Sequence, residues 1–142
     1  MGEERALGPG VMVDSLDTSG VWRHIPKLYE ELRGVLLDRA ESVGCTLSDA
    51  SVWGAGLQFS FLLRGNDDRE VGRSYDDLWP EALAVCRRAG GTIAHHQGVG
   101  LLRTTFVGME LGRSGVSVLA GIKHALDAGG VMNPGKLIPV EE

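Results

Sequence analysis

The densest chemistry in the chain lies at residues 90–100, Gly90-Gly91-Thr92-Ile93-Ala94-His95-His96-Gln97-Gly98-Val99-Gly100. Imidazole donates, accepts or transfers a proton near neutral pH, and flanking glycines let a ligand approach the backbone. Paired histidines at a strand end therefore suit proton transfer or polar ligand binding. The same residue types also suit a solvated surface loop, and spacing alone does not choose. No metal site is expected: His95 and His96 are neighbours rather than i,i+4 partners, neither HExxH nor CxxC occurs, and Glu110 would have to fold back to complete a set. Gly98-Val99-Gly100-Leu101-Leu102-Arg103 begins like a dinucleotide-binding GxGxxG but places arginine at the third glycine. No Ser/His/Asp set is singled out by spacing. Asn133-Pro134-Gly135-Lys136 follows Gly129-Gly130 and reads as a helix-terminating turn. It also suits presentation of an amide and an ammonium to a polar ring or an anion.

Composition bounds what can carry these groups. The chain has 142 residues, 21 of them glycine, about twice the usual share near 7%. That length suits one domain with a true hydrophobic core. The glycines are scattered without a G-X-Y period, which excludes collagen-like and linker readings. The net charge of −5 argues against nucleic acid, whose binding rests on neutralising phosphates. Charge is uneven: residues 1–85 hold 8 basic and 15 acidic groups, whereas residues 86–142 hold 6 basic and 4 acidic groups and three of the four histidines. A small anionic ligand is better placed on the C-terminal part. Cys45 and Cys86 make no disulfide framework and are expected as buried free thiols. With no secretory signal pattern and no apolar run long enough to span a membrane, the chain reads as cytoplasmic.

The elements follow from periodicity. Residues 1–10 are polar and Gly/Pro-containing and are expected to be disordered. Val11, Val13 and Leu16 mark a short strand, and Asp17-Thr18-Ser19-Gly20 a break rich in helix N-caps. Val21 to Arg39 carries apolar residues at helical steps. A second strand starts at Val43 and runs towards Val52, followed by a turn at Trp53–Gly56. Leu57, Phe59, Phe61 and Leu63 alternate with their neighbours as a clear strand. Residues 65–73 read as a polar loop, Ser74–Ala89 as a helix containing Pro80, Thr92–Ala94 as a short strand, and Leu111–Leu126 as a last helix. The expected class is α+β: a ferredoxin-like βαββαβ antiparallel sheet with helices on one face, plus a C-terminal helical extension.

Four strings together, VDSLDTSGVW at 13–22, GGTIAHHQGVG at 90–100, ELG at 110–112 and IKHALDAGGVMNPGKL at 122–137, resemble the C-terminal domain of FAD-linked oxidases. The similarity is to the alkyl-dihydroxyacetone-phosphate synthase-like branch, with the glycolate oxidase and D-lactate dehydrogenase flavoproteins further off. The resemblance implies that residues 11–142 form a cap domain that covers a flavin and shapes a small-molecule substrate pocket. It implies FAD as cofactor, bound mainly by a partner domain or subunit outside this chain, against which the last helix and the Asn133–Lys136 turn would pack. It places His95 and His96 over the flavin ring as catalytic residues, Gln58, Gln97 and Arg103 towards the substrate, and Asn133, Gly135 and Lys136 beside the cofactor.

Three positions depart from that pattern. The branch has three consecutive histidines where Gln97 stands third, a tyrosine best matched by Gln58, and an aromatic stretch where Leu101–Thr105 stands. Glutamine hydrogen-bonds but is neither acid nor base near pH 7. The alternative expectation is therefore a non-catalytic ferredoxin-like module that binds a small anion or self-associates as a homodimer.

Overall fold

The computed structural model describes residues 8–138. Residues 1–7 of the expected disordered stretch lie outside them. Gly10, by contrast, is tied down: its N–H donates to Asp68 Oδ1 at 2.7 Å and its carbonyl accepts the Gly65 N–H at 2.9 Å.

Strand β3 (Gly54–Arg64) is the centre of the fold. Its alternation puts Ala55, Leu57, Phe59, Phe61 and Leu63 on one buried face, as a period-2 pattern requires. It pairs antiparallel with β1 (Val11–Val21) on one side and β2 (Ser42–Ser48) on the other, giving the order β1-β3-β2. Helices α1 (Ile25–Leu37) and α2 (Asp68–Arg88) cover the apolar face. Leu28, Leu32 and Leu36 of α1 meet Leu78, Ala82, Leu83 and Cys86 of α2 in one core cluster with the inward residues of β3. The α+β class holds, with helices on one face of an antiparallel sheet.

Several boundaries differ from the sequence expectation. Asp17–Gly20 is not a break but continues β1 to Val21, because β3 offers a partner for every residue through Val21↔Gly54. Strand β2 stops at Ser48, where Asp49 takes a left-handed backbone with φ 49°. Helix α2 begins six residues early because Asp67 caps it, accepting the Glu70 N–H at 2.8 Å while Glu70 Oε2 accepts the Asn66 N–H at 2.8 Å. Such reciprocal capping is worth about 0.5–2 kcal/mol. Pro80 does not end α2; Leu78, Trp79, Ala82 and Leu83, buried on either side of it, hold the helix through the lost backbone bond. Cys86 is buried as expected, but Cys45 is half-exposed on the edge strand.

Thr92–Ala94, expected as a fourth strand, is not a strand. The segment lies beside the outer edge of β1, where side chains replace the ladder. Thr92 N–H donates to Ser19 O at 3.0 Å, but the return bond runs from Ser19 N–H to Thr92 Oγ1 at 3.0 Å. Thr18 Oγ1 donates to Thr92 O at 2.7 Å, and Ile93 N–H donates to Glu110 Oε2 at 2.7 Å.

The C-terminal extension holds a short helix α3 (Gly100–Arg103), a 3₁₀ turn (Thr104–Phe106) and helix α4 (Val107–Leu126), which breaks at Gly112 with φ 66°. Val107 is buried and Val116 packs against the core. Beyond them Val118, Ile122 and Leu126 face outward at 62%, 52% and 80% exposure. No helix among the described residues is long and apolar enough to cross a membrane.

Candidate functional site

The face of the sheet opposite the helices is built from small polar residues. Ser15, Asp17 and Ser19 of β1 pair with Ser60, Gln58 and Gly56 of β3, and Gly44, Thr46 and Ser48 of β2 complete the rows. Partnered residues of an antiparallel ladder share a face. Gln58 is exposed there, beside Asp17.

Asp17 itself is only 1% exposed, because the histidine loop folds over it. Its Oδ2 accepts the backbone N–H groups of three consecutive residues: His95 at 2.9 Å, His96, and Gln97 at 3.0 Å. Its Oδ1 accepts Arg103 Nη1 at 2.8 Å. Burial pushes the Asp17 carboxyl up, but the N–H groups of Gln97 and His96 and the Arg103 guanidinium together hold it below the ordinary carboxylate range. The loop thus has no ladder of its own and hangs on one buried carboxylate.

Arg103, expected to meet a substrate anion, points inward and is 3% exposed. Besides Asp17 it donates to Gly98 O at 3.2 Å and to Gln97 Oε1 at 2.7 Å, and its guanidinium carbon lies 5.1 Å from the Trp79 ring centroid. Gln97 is held at both ends, since its Nε2 donates to Ser15 Oγ at 2.6 Å. Gln97 and Arg103 therefore fix the loop from beneath, while the two histidines face out.

The rings of His95 and His96 are 4.1 Å apart and tilted by 55°. A Cβ at residue 56 would stand 3.0 Å from His95 Cδ2, so glycine at 56 lets the ring settle against the sheet. Both rings turn to Asp49, which starts the β2–β3 turn: Asp49 Oδ2 lies 2.5 Å from His96 Nε2 and 3.5 Å from His95 Nε2. A carboxylate in that position orients an imidazole. His95, Asp49, Ser51, Trp53, Gly56, Arg87 and Thr92 help line a cleft of about 420 Å³ at this end of the sheet. His95 thus joins the loop to the cleft, and Gln58 is exposed on the same open face of the sheet.

Asn133, Gly135 and Lys136 gather elsewhere. They line a pocket of about 340 Å³ with Lys123, His124 and Asp127, which shares no residue with the histidine cleft. The turn has a built backbone. Asn133 and Gly135 take left-handed conformations, with φ 46° and 69°. Asp127 accepts the N–H groups of Val131 at 3.0 Å and Met132 at 2.9 Å, and Gly135 O accepts Thr104 Oγ1 at 3.1 Å. A neighbouring groove of about 450 Å³ runs past Leu119, Ile122, Leu126, Met132 and Leu137. The described residues thus present two separate pockets, with an apolar row on α4 beside the second.

Sequence reasoning missed Asp17 and Asp49. Asp17 carried a signal, a carboxylate inside an alternating run of a recognised string. Asp49 carried none beyond its place near a turn.

The family model for "FAD linked oxidases, C-terminal domain" matches residues 2–137. Alkyldihydroxyacetonephosphate synthase of Trypanosoma brucei brucei is 26% identical over 125 residues, covering 87% of this chain and 20% of that protein. A probable mitochondrial D-lactate dehydrogenase of Danio rerio is 30% identical over 141 residues, covering 96% of this chain and 27% of that protein. A solved structure of alkyldihydroxyacetonephosphate synthase superposes with a TM-score of 0.54 at 14% identity, over 88% of this chain and 20% of that one, which is a likeness of fold. The chain therefore spans between a fifth and a third of the length of these relatives.

Proposed function

Because this chain belongs to the FAD linked oxidases, C-terminal domain family, we propose that it is the cap and substrate-facing domain of an FAD-dependent oxidoreductase, acting with an FAD-binding domain or subunit. The observation that carries this reading is the histidine loop: two half-exposed imidazoles, fixed from beneath by a buried carboxylate and aimed over an open polar sheet face.

The residues suit one side of a flat, polar ring rather than a complete cofactor site. Gly44 and the small side chains of Ser15, Ser60 and Thr46 leave room for close approach on the open face. The Asn133–Lys136 turn supplies an amide and an ammonium at a second point. FAD, when bound, supplies the electron-pair chemistry. What this chain adds is orientation and proton handling. His96, with Asp49 on its Nε2, is poised to accept or return a proton; His95 lines the cleft and hydrogen-bonds a polar substrate group. Gln58 and Gln97 hold substrate or loop by hydrogen bonds without changing charge. Arg103 acts as a positioning residue through Asp17 and Gln97. The apolar row of α4 and the Asn133–Lys136 turn form the docking surface for the FAD-binding half.

That outward row also suits self-association without catalysis. One experiment separates the two. The chain is mixed with an FAD-binding oxidase domain that lacks its own cap, and flavin retention and bleaching by 2-hydroxy acids are followed. A one-to-one complex with substrate-dependent bleaching, reduced at least tenfold in His96→Ala, supports the cap reading. A stable homodimer that leaves the FAD-binding domain unbound and unbleached rejects it.

A further inference from the structure

We propose that strand β2 is an interface between two copies of this chain, which pair antiparallel about Cys45 and join their three-stranded sheets into one continuous sheet. This goes beyond the cap reading and does not depend on it. Among the described residues β2 pairs with β3 on one side only, so its other side is a free edge. Such an edge turns unpaired N–H and C=O groups outward, and proteins guard it with charges, proline, bulges or a covering segment. The segment 42–48 carries none of these guards. It holds no Lys, Arg, Asp, Glu or Pro, and its register runs without a bulge from Ser42↔Leu62 to Ser48↔Gly56. The outer edge of β1, in contrast, is covered towards its end, where Thr92 bonds to Thr18 and Ser19.

The strand itself names its occupant. A two-fold interface needs a surface that complements itself, and Ser42-Val43-Gly44-Cys45-Thr46-Leu47-Ser48 mirrors its own residue types about Cys45. Ser42 falls opposite Ser48, Val43 opposite Leu47, Gly44 opposite Thr46, and Cys45 opposite the second copy's Cys45. Val43, Cys45 and Leu47 lie on the helix side of the sheet, in register with Phe61, Phe59 and Leu57. Helix α1 leaves that row half-covered: Leu47 is 50% exposed and Tyr29 of α1 is 39% exposed. An apolar groove of about 300 Å³ remains there, lined by Pro26, Tyr29, Cys45 and Leu47 among others. Antiparallel pairing sets the second copy's Val43 beside Leu47, at that groove. The exposed charges of α1 on this side, Glu30 and Arg33, are of opposite sign, so antiparallel copies of the helix meet without a net like charge. One like-charged match falls just outside the strand, Glu41 opposite Asp49. There Glu41 is already bonded to Arg64 and Asp49 to His96.

The test uses the whole chain and needs no flavin. Sedimentation equilibrium over a concentration series should show a monomer–dimer equilibrium. Leu47→Lys, which puts a charge on the open edge, should weaken the dimer at least tenfold, while Leu126→Glu on α4 should leave it unchanged. Opposed Cα atoms of an antiparallel pair stand about 4.5–5.5 Å apart, within the span of a disulfide. Diamide, which takes up two electrons and two protons, should therefore join two Cys45 thiols in one intermolecular disulfide that peptide mapping locates. Cys45→Ser should lose that bridge and keep the dimer. Iodoacetamide should alkylate Cys45 more slowly as the chain is concentrated. A chain monomeric at millimolar concentration, a dimer lost in Leu126→Glu but kept in Leu47→Lys, or a bridge that excludes Cys45 would each overturn the proposal. So would a monomer whose Cys45 is protected only when an FAD-binding domain is added, which assigns the edge to that domain. Flavin bleaching and its loss in His96→Ala are read separately, so the two readings fail independently.

Discussion

Replacing Asp17 or Arg103 tests whether the histidine loop is held by one buried ion pair. Both groups are almost wholly excluded from water, at 1% and 3% exposure, and Oδ1–Nη1 is 2.8 Å. Arg103→Met keeps the bulk of the side chain but leaves a buried carboxylate without its counter-charge. Asp17→Asn keeps an acceptor for the loop but turns a second donor towards Nη1. Removing one partner of a buried pair costs about 3–5 kcal/mol, and a 3 kcal/mol loss lowers Tm by roughly 10 °C in a domain of this size. The Asp17→Asn/Arg103→Met double variant removes both charges and still offers an amide oxygen to the N–H groups of residues 95–97. It should therefore lose less than the sum of the singles by about 1.5–3 kcal/mol, as expected for residues in one network. Urea denaturation followed by far-UV circular dichroism gives all four corners of the cycle. Hydrogen exchange at His95, His96 and Gln97 should accelerate in each single variant ahead of the core amides. Single losses below about 1 kcal/mol, or a double loss equal to the sum, would refute the assignment of the loop to this pair.

Three other outcomes follow from the same contacts. Ile122→Glu and Leu126→Glu, on the outward row of α4 at 52% and 80% exposure, should change stability by no more than about 0.5 kcal/mol yet abolish capture by the FAD-binding domain, as read by thermal melts and co-purification; a large loss of stability would show the row to be buried. Burial pushes the Cys86 thiol up to about 12, leaving about one thiolate in 10⁴ at pH 8, so Cys86 should be alkylated only as fast as the chain unfolds while half-exposed Cys45 reacts first, and equal rates in native buffer would count against the packing. Burial and the Asp14 carboxylate push Tyr75 up to about 12; because its folded value lies above the unfolded one near 10, the Tyr75–Asp14 bond at 2.6 Å stabilises the fold below about pH 10 and is lost as pH rises to about 12. Tyr75→Phe should cost about 1–2 kcal/mol at pH 8 and remove that alkaline step from a stability–pH profile.

How much of this could be read from the residues depends on where the information lies. The alternation of Leu57, Phe59, Phe61 and Leu63 and the helical rows of α1 and α2 are local patterns set by burial on one face, and they specified the sheet, its hairpin and its helix layer. The end of β1 was misread because Asp17-Thr18-Ser19-Gly20 has the composition of a break; β3 overrides that preference by pairing each residue in turn. Thr92–Ala94 was misread in the opposite sense, since β-compatible residues made side-chain bonds to Ser19 and Thr18 where a ladder would need backbone. His95 and His96 stood out by type and glycine context. Their supports did not: Asp17 is 78 residues before His95, and Asp49 becomes a neighbour only through the turn after Ser48. Arg103 was singled out for its charge, but charge alone does not say whether a guanidinium faces a pocket or a buried carboxylate.

The buried pair also says which part of the chain is specified by it. A buried ion pair is weak evidence for stability, because well-packed apolar side chains of similar volume often do as well or better. If the only demand at this edge of β1 were a closed core, leucine or methionine at 17 and 103 would meet it, as they do at Leu16 and Leu63 on the other face. What apolar side chains cannot do is accept three consecutive backbone N–H groups. Those groups belong to the loop that follows the expected fourth strand, and left unpartnered each would cost about 1–3 kcal/mol. The carboxylate resolves that cost in one geometry, with both imidazoles on the open side, and Arg103 keeps it ionised. The pair is therefore tied to the conformation of the histidine loop more than to the core beneath it, and α3 and the 3₁₀ turn lead on from that loop to the apolar outward row of α4.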